Sequence, residues 1–266
     1  MVAGTPLDPE FATMERASRQ FGTLGGGNHF VEACEDEQGY VWVVLHSGSR
    51  GVGNTIAKKH IAHAKDLMAD YFIELEDPDL AYLVEGTEPF KRYIWDMLWA
   101  QDFAAKSRLV MLKAAVQAVL DATPEGGVAG PTINCHHNYT EREHHHGKNL
   151  WVTRKGAIRA REGDAGIIPG SMATGSYIVQ GTGSAASYTS ASHGAGRRMS
   201  RRQARDTLST QELEDSMLGI SWNDDPEGLL DESPGAYKDL DEVMENQKDL
   251  VTVQARLQPL LNYKGA

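Results

Sequence analysis

Short β-type runs on either side of two long amphipathic stretches predict a mixed fold, strands with a helical hairpin inserted between them. Three observations carry this. Residues 41–45, VWVVL, have the length and composition of a buried strand. Between about 54 and 121 the apolar residues recur at helical spacing. Beyond 163, glycine and serine alternate with short apolar pairs, as in strands joined by tight loops.

Composition bounds the rest. A chain of 266 residues can bury a large core. Its apolar runs are broken by charge, which leaves no transmembrane helix. The formal net charge of −11 argues against a general nucleic-acid coat. A local basic site remains open, since Arg197, Arg198, Arg201, Arg202 and Arg205 lie close together. Two cysteines, Cys34 and Cys135, give no disulfide framework and point to a reducing cytoplasm. Residues 1–20 read as a leader or truncation edge, and the first fifteen lack the basic and apolar regions of a signal peptide.

In order, residues 21–33 open with a glycine run that permits close backbone approach and places Asn28 and His29 in a tight loop. The alternative is a flexible turn before a strand. The strand at 41–45 runs into His46-Ser47-Gly48-Ser49-Arg50-Gly51, a frequent site geometry, or equally a capped turn. A helix is expected over 54–72 with Asn54 as its N-cap. His60 and His63 on it read as packing or surface residues. A second helix, over 91–121, turns Ile94, Leu98, Ala105, Leu109, Leu112, Val116 and Leu120 to one face, which Trp95, Trp99 and Phe103 widen as core packing. The two pair as a hairpin over about 54–121.

Residues 134–148, NCHHNYTEREHHHGK, hold five of the ten histidines. Imidazole, carboxylate and thiolate bind divalent metals, so part of this stretch is a candidate wall of a metal site. His144, His145 and His146 read as a solvated loop. Residues 150–153 are expected as a strand, paired with 157–159 across Arg154-Lys155-Gly156. Residues 192–199, SHGAGRRM, suggest a loop leading into a helix from about Arg197, where backbone N–H groups and arginines favour an anion. A neutral imidazole there is nucleophilic toward phosphorus, and a plain loop histidine is the equal alternative. Residues 203–218 and 239–257 read as amphipathic helices, and 262–266 as an exposed end.

Eight blocks, GTLGGGNHF (22–30), HSGSRG (46–51), NCHHNY (134–139), VTRKGA (152–157), GIIPGSM (166–172), SHGAGR (192–197), AYKD (236–239) and YKG (263–265), together resemble the RtcB-type RNA-splicing ligases. The resemblance implies an α+β fold of packed β-sheets flanked by helices, with 21–266 as the C-terminal two-thirds of a ligase catalytic domain. It implies joining of RNA 3′-phosphate or 2′,3′-cyclic phosphate ends to 5′-hydroxyl ends, in tRNA splicing or RNA repair, with GTP and two manganese ions. His193 would be guanylylated. His29, His46 and His137 would hold metal. Asn28, Glu32, Ser171, Ser176, Ala195, Gly196, Tyr237 and Lys264 would contact nucleotide or phosphate. An archease-like activating protein is an implied partner. One departure stands out: the family's Asp-x-Gly-Cys-type metal motif has no counterpart before Phe21. The alternatives are therefore a ligation-defective fragment that binds GTP or RNA, or a phosphoesterase that only opens cyclic phosphates.

Overall fold

A computed structural model describes residues 14–123, 126–223 and 225–265. The first thirteen residues, the bulk of the expected leader, lie outside these. The described chain is a mixture of helices and antiparallel strands, as an α+β fold requires, and it divides into two compact units. The first takes in Gly48–Ser107 with the chain up to Thr23; the second takes in Leu24–Ser47 and the chain from Arg108 onward.

The first unit is helical. It contains α1 (Met14–Gln20), α2 (Arg50–Asp70) and the start of α3 (Glu88–Ala122), between which two strands fall in sequence, β1 (Phe30–Glu35) and β2 (Val41–His46). On α2, Val52, Ile56, His60, Ala64 and Met68 form the buried stripe. Val52 and Ile56 pack with Ala17, Trp99, Ala100 and Phe103. Two expectations are corrected here. α2 begins at Arg50 rather than Asn54, because Gly51 and Gly53 are carried inside its first turn; a Cβ at Gly53 would sit 2.0 Å from Ser49 Oγ. On α3, Trp99 and Phe103 are buried as expected, with Ala100 and Ala104, while Leu98, Leu109 and Trp95, expected on the same face, are exposed. The rings of Trp99 and Phe103 bury more apolar area than leucine, so they win the inward face. His60 is a packing residue, with a partner the sequence did not suggest: its Nε2 lies 2.8 Å from Asp96 Oδ2.

The second unit is built on a sheet. Its later elements are β3 (Asn138–His145), β4 (Lys148–Lys155), β5 (Ala157–Arg159), β6 (Ala165–Pro169), β7 (Ser176–Gly181), β8 (Ser190–Ser192), α4 (Arg201–Thr207), α5 (Thr210–Ser216), β9 (Ser221–Trp222), α6 (Pro226–Leu229), α7 (Leu240–Glu245) and β10 (Val251–Lys264). The main sheet has the order β2-β1-β10-β7-β6, antiparallel throughout, with β9 parallel beside β10. β10 pairs first with β7 and then with β1, and Pro259, which has no N–H to donate, sits at the register shift opposite Cys34. Adjacent residues of β6 and β7 enter different cores. Ile167 and Ile178 pack with Phe30, Cys34, Val44 and Leu257; Ile168 and Val179 pack with Ile158, Ala191, Leu240 and Val251. Covering on both faces is why these strands read as apolar pairs rather than an alternation.

Four further expectations fail in this unit. Residues 150–153 do not pair with 157–159. β4 pairs with β3 and β5 with β8, because Gly156, at φ +72°, redirects the chain between them. Of the three histidines expected in a solvated loop, His144 and His145 end the strand β3 and only His146 lies in the turn, His146-Gly147, both at positive φ, a two-residue turn whose twist suits a β-hairpin. The helix expected over 203–218 breaks into α4 and α5, because Ser209 and Glu212 form a capping box that starts a new helix. The helix expected over 239–257 stops at Glu245, and the remainder becomes β10, which leaves Asn262 and Lys264 buried rather than exposed.

Candidate active site

The sheet register lays out the site. Phe30 of β1 is opposite His46 of β2 on one side and Lys264 of β10 on the other, so the three residues form a row across three strands. The Phe30 ring stacks on His46 with centroids 5.5 Å apart, and Lys264 Nζ stands 5.2 Å from the same ring. His29, just before β1, brings its ring to 6.0 Å from His46; His137, just before β3, brings its ring to 4.6 Å. His193, just after β8, stacks on His137 at 5.1 Å, nearly parallel. Four histidines, one ending β2 and three from loops beside strands, are thus neighbours in space.

For His46, His137 and His193 the electrostatics favour the neutral ring. Burial holds His46 well below the usual imidazole range, and the neighbouring imidazoles push the same way. Burial, with His193 and Arg108 nearby, takes His137 down to about 3. Burial also lowers His193, against the opposing effect of its bond to Gly156. Asn28 Nδ2 donates to His46 Nε2 at 3.3 Å, so that nitrogen carries a lone pair. Neutral imidazole is the form that binds metal, so His46 and His137 fit a divalent ion in kind, and His29 adds a third imidazole beside them. Among the described residues no three histidine, cysteine or carboxylate side chains are yet gathered about one point as an ion requires.

His193 is held differently. Its Nδ1 is 2.7 Å from the Gly156 carbonyl, which can only accept, so Nδ1 bears the proton and Nε2 carries the lone pair. Gly156 N–H in turn donates to the His137 carbonyl at 2.8 Å and to Asn138 Oδ1 at 3.1 Å. A Cβ at Gly156 would come within 3.3 Å of His193 Cε1. Arg108, buried on α3, donates to Asn134 Oδ1, the Ser47 carbonyl and His136 Nδ1. Burial and Arg108 bring His136 down to about 4.

A second group surrounds two buried carboxylates. Tyr237 donates to Glu232, and burial together with that carboxylate raises its phenol. Lys264 Nζ lies 3.5 Å from the same Glu232 oxygen, and burial lowers its ammonium. Arg197 reaches Glu232 and Tyr237; Arg201 and Arg205 reach Asp231. Much of the basic cluster is therefore occupied internally. Ala195 N–H donates to the Pro169 carbonyl, and Lys238 N–H to the Gly196 carbonyl, which joins the loop after His193 to both the β6–β7 turn and the Tyr237 segment. Gly196 has φ +73° with open space beside its Cα. Ser171 lies in the β6–β7 turn, its hydroxyl 3.1 Å from Thr174 Oγ1. Ser176 is wholly buried, and so is Glu32, which accepts from Asn262. Neither faces solvent. The sequence did not single out Gly156, Asp231 or Glu232. A backbone acceptor has no side-chain signature, and acids in a loop read as surface charge.

The tRNA-splicing ligase RtcB family model matches residues 6–265. The chain belongs to the RtcB family. It is 45% identical over 252 residues to the RNA-splicing ligase RtcB of Escherichia coli K12, covering 93% of this chain and 62% of that protein. It is 31% identical over 288 residues to the RNA-splicing ligase RtcB of Mycobacterium tuberculosis H37Rv, covering 95% and 66%. It is 32% identical over 305 residues to the tRNA-splicing ligase RtcB of Methanopyrus kandleri, covering 95% and 31%. The chain thus spans about three-fifths of the Escherichia coli relative. The RtcB blocks seen in the sequence contribute all four clustered histidines. Among the described residues no helix is long and apolar enough to cross a membrane.

Proposed function

We propose that the chain carries the guanylylation and RNA-joining chemistry of an RtcB ligase. The observation that carries this is the seat of His193, with Nδ1–H bound to Gly156 O and Nε2 left with its lone pair. Nε2 attacks the α-phosphorus of GTP; an N–P bond forms, the α–β bridging P–O bond breaks, and pyrophosphate leaves with the electron pair. The RNA 3′-phosphate then displaces His193 from the guanylate, and the 5′-hydroxyl attacks the activated end and releases GMP. A cyclic end is first opened by water. His29, His46 and His137 would hold manganese, which supplies charge neutralisation of the phosphates when bound. Asn28 orients His46. Tyr237 and Lys264, with Ser171, Ala195 and Gly196, supply polar groups for the nucleotide. Glu32 and Ser176 would act from beneath that site, since both are enclosed. The free thiols of Cys34 and Cys135 accord with a cytoplasmic setting.

Incubation with α-labelled GTP and manganese tests the reading. Label is expected on the protein and is expected to vanish in His193→Ala. Label that persists in His193→Ala refutes the nucleophile. One second reading is nucleotide binding without ligation. That reading is supported if GTP binds and no label forms.

A further inference from the structure

The β3–β4 hairpin encloses an ion pair that the chemistry above does not use. Arg154 is 3% exposed and Glu143 4%, on opposite strands. The guanidinium works in two directions. Toward its own hairpin it binds both Glu143 oxygens and the Tyr139 hydroxyl, the latter at 3.0 Å. Toward the chain that leads to His193, Nε donates to Ser190 Oγ and NH2 to the Tyr188 carbonyl, each at 2.9 Å. Tyr188 and Thr189 have φ +52° and +49°, a region that non-glycine residues seldom occupy. His145 donates to Glu143 as well, and the rings of His145 and His146 pack against Tyr188 at 5.1 and 5.3 Å. This turn passes directly into β8, which pairs with β5 as far as Ser192 opposite Ala157. Ser192 precedes His193, and Ala157 follows Gly156. Arg154 therefore grips the approach to His193, while its own strand ends beside the carbonyl that seats the ring.

We infer that Arg154, anchored by Glu143, is a positioning residue: it fixes the 188–190 turn against the strand ending at Gly156 and so sets the bond that orients His193. Enclosed ion pairs add little stability compared with apolar packing of the same volume. What an arginine provides here is a planar fork that satisfies a carboxylate, two hydroxyls and a strained carbonyl at once, which lysine cannot reproduce. The inference rests on His193 being the nucleophile.

Two readouts separate the two ideas in Arg154→Lys and Ser190→Ala of the full chain. The first is the ¹⁵N signature of the His193 tautomer, recorded without GTP. The second is the rate of label uptake from α-labelled GTP with manganese. Arg154→Lys is expected to mix the two tautomers and to slow labelling on the order of 10²-fold, with KM for GTP unchanged. Ser190→Ala, which removes one bond, should do the same to a smaller extent. Folded Arg154→Lys with the native tautomer and native labelling rate overturns the inference. Should Arg154→Lys fail to fold, Ser190→Ala decides on the same criteria. If the unaltered protein takes no label, the nucleophile reading fails, and the tautomer alone decides the role of Arg154.

Discussion

Glu32 stands on β1 between β2 and β10, and burial raises its carboxyl from 4.5 to about 7. The bond from Asn262 and the charge of Lys264 pull the other way without prevailing. A carboxyl raised in the folded state contributes stability in full below about 4.5, and that contribution is lost as pH rises through about 7. The size is on the order of 3 kcal/mol for this shift. Urea unfolding between pH 5 and 8 is therefore expected to show a decline that Glu32→Gln lacks; parallel pH profiles for the two proteins rule it out. Legibility at this scale followed side-chain chemistry. His29, His46, His137 and His193 stood in recognisable blocks, and the fold brings them together. Gly156 stood in a block too, but its contribution is a carbonyl, which no residue type announces. Glu232 holds Tyr237 and Lys264, yet an acid in a polar loop looks the same whether it faces water or three cations.

Among the elements, β6 and β7 were readable because apolar pairs bounded by glycine leave little else to form. β10 was not. From Leu240 to Val251 the apolar residues fit helical spacing, and from Val251 to Leu257 they fit a period of two. Pairing with β7 and β1 decides where one gives way to the other. The β3–β4 hairpin shows the opposite case, in which a histidine run hid a strand and a tight turn. Gly147 has φ +75° and nothing within 4 Å of an added Cβ, so Gly147→Ala tests conformation alone. A loss of about 1–2 kcal/mol is expected in thermal unfolding, and an unchanged midpoint contradicts the turn assignment.

For the whole molecule, the net charge of −11 is a poor guide to the local field, since Asp231 and Glu232 already engage Arg197, Arg201, Arg205 and Lys264. Protection should follow bonding. The amides of β10, paired on both edges, are expected to exchange with deuterium more slowly than those of the short helices α4 and α5. Equal rates in mass-spectrometric exchange contradict this ordering. The place of β10 also bears on synthesis. Glu32 and Asn262 are bonded across 230 residues of chain, so β1 leaves the ribosome long before its main partner exists. A nascent chain halted before Val251 holds β1 and β7 with open edges, ready to pair with other chains. Lys264, Phe30 and His46 line up only when that last strand arrives. A stalled product is thus expected to be prone to aggregate until the last strand closes those edges.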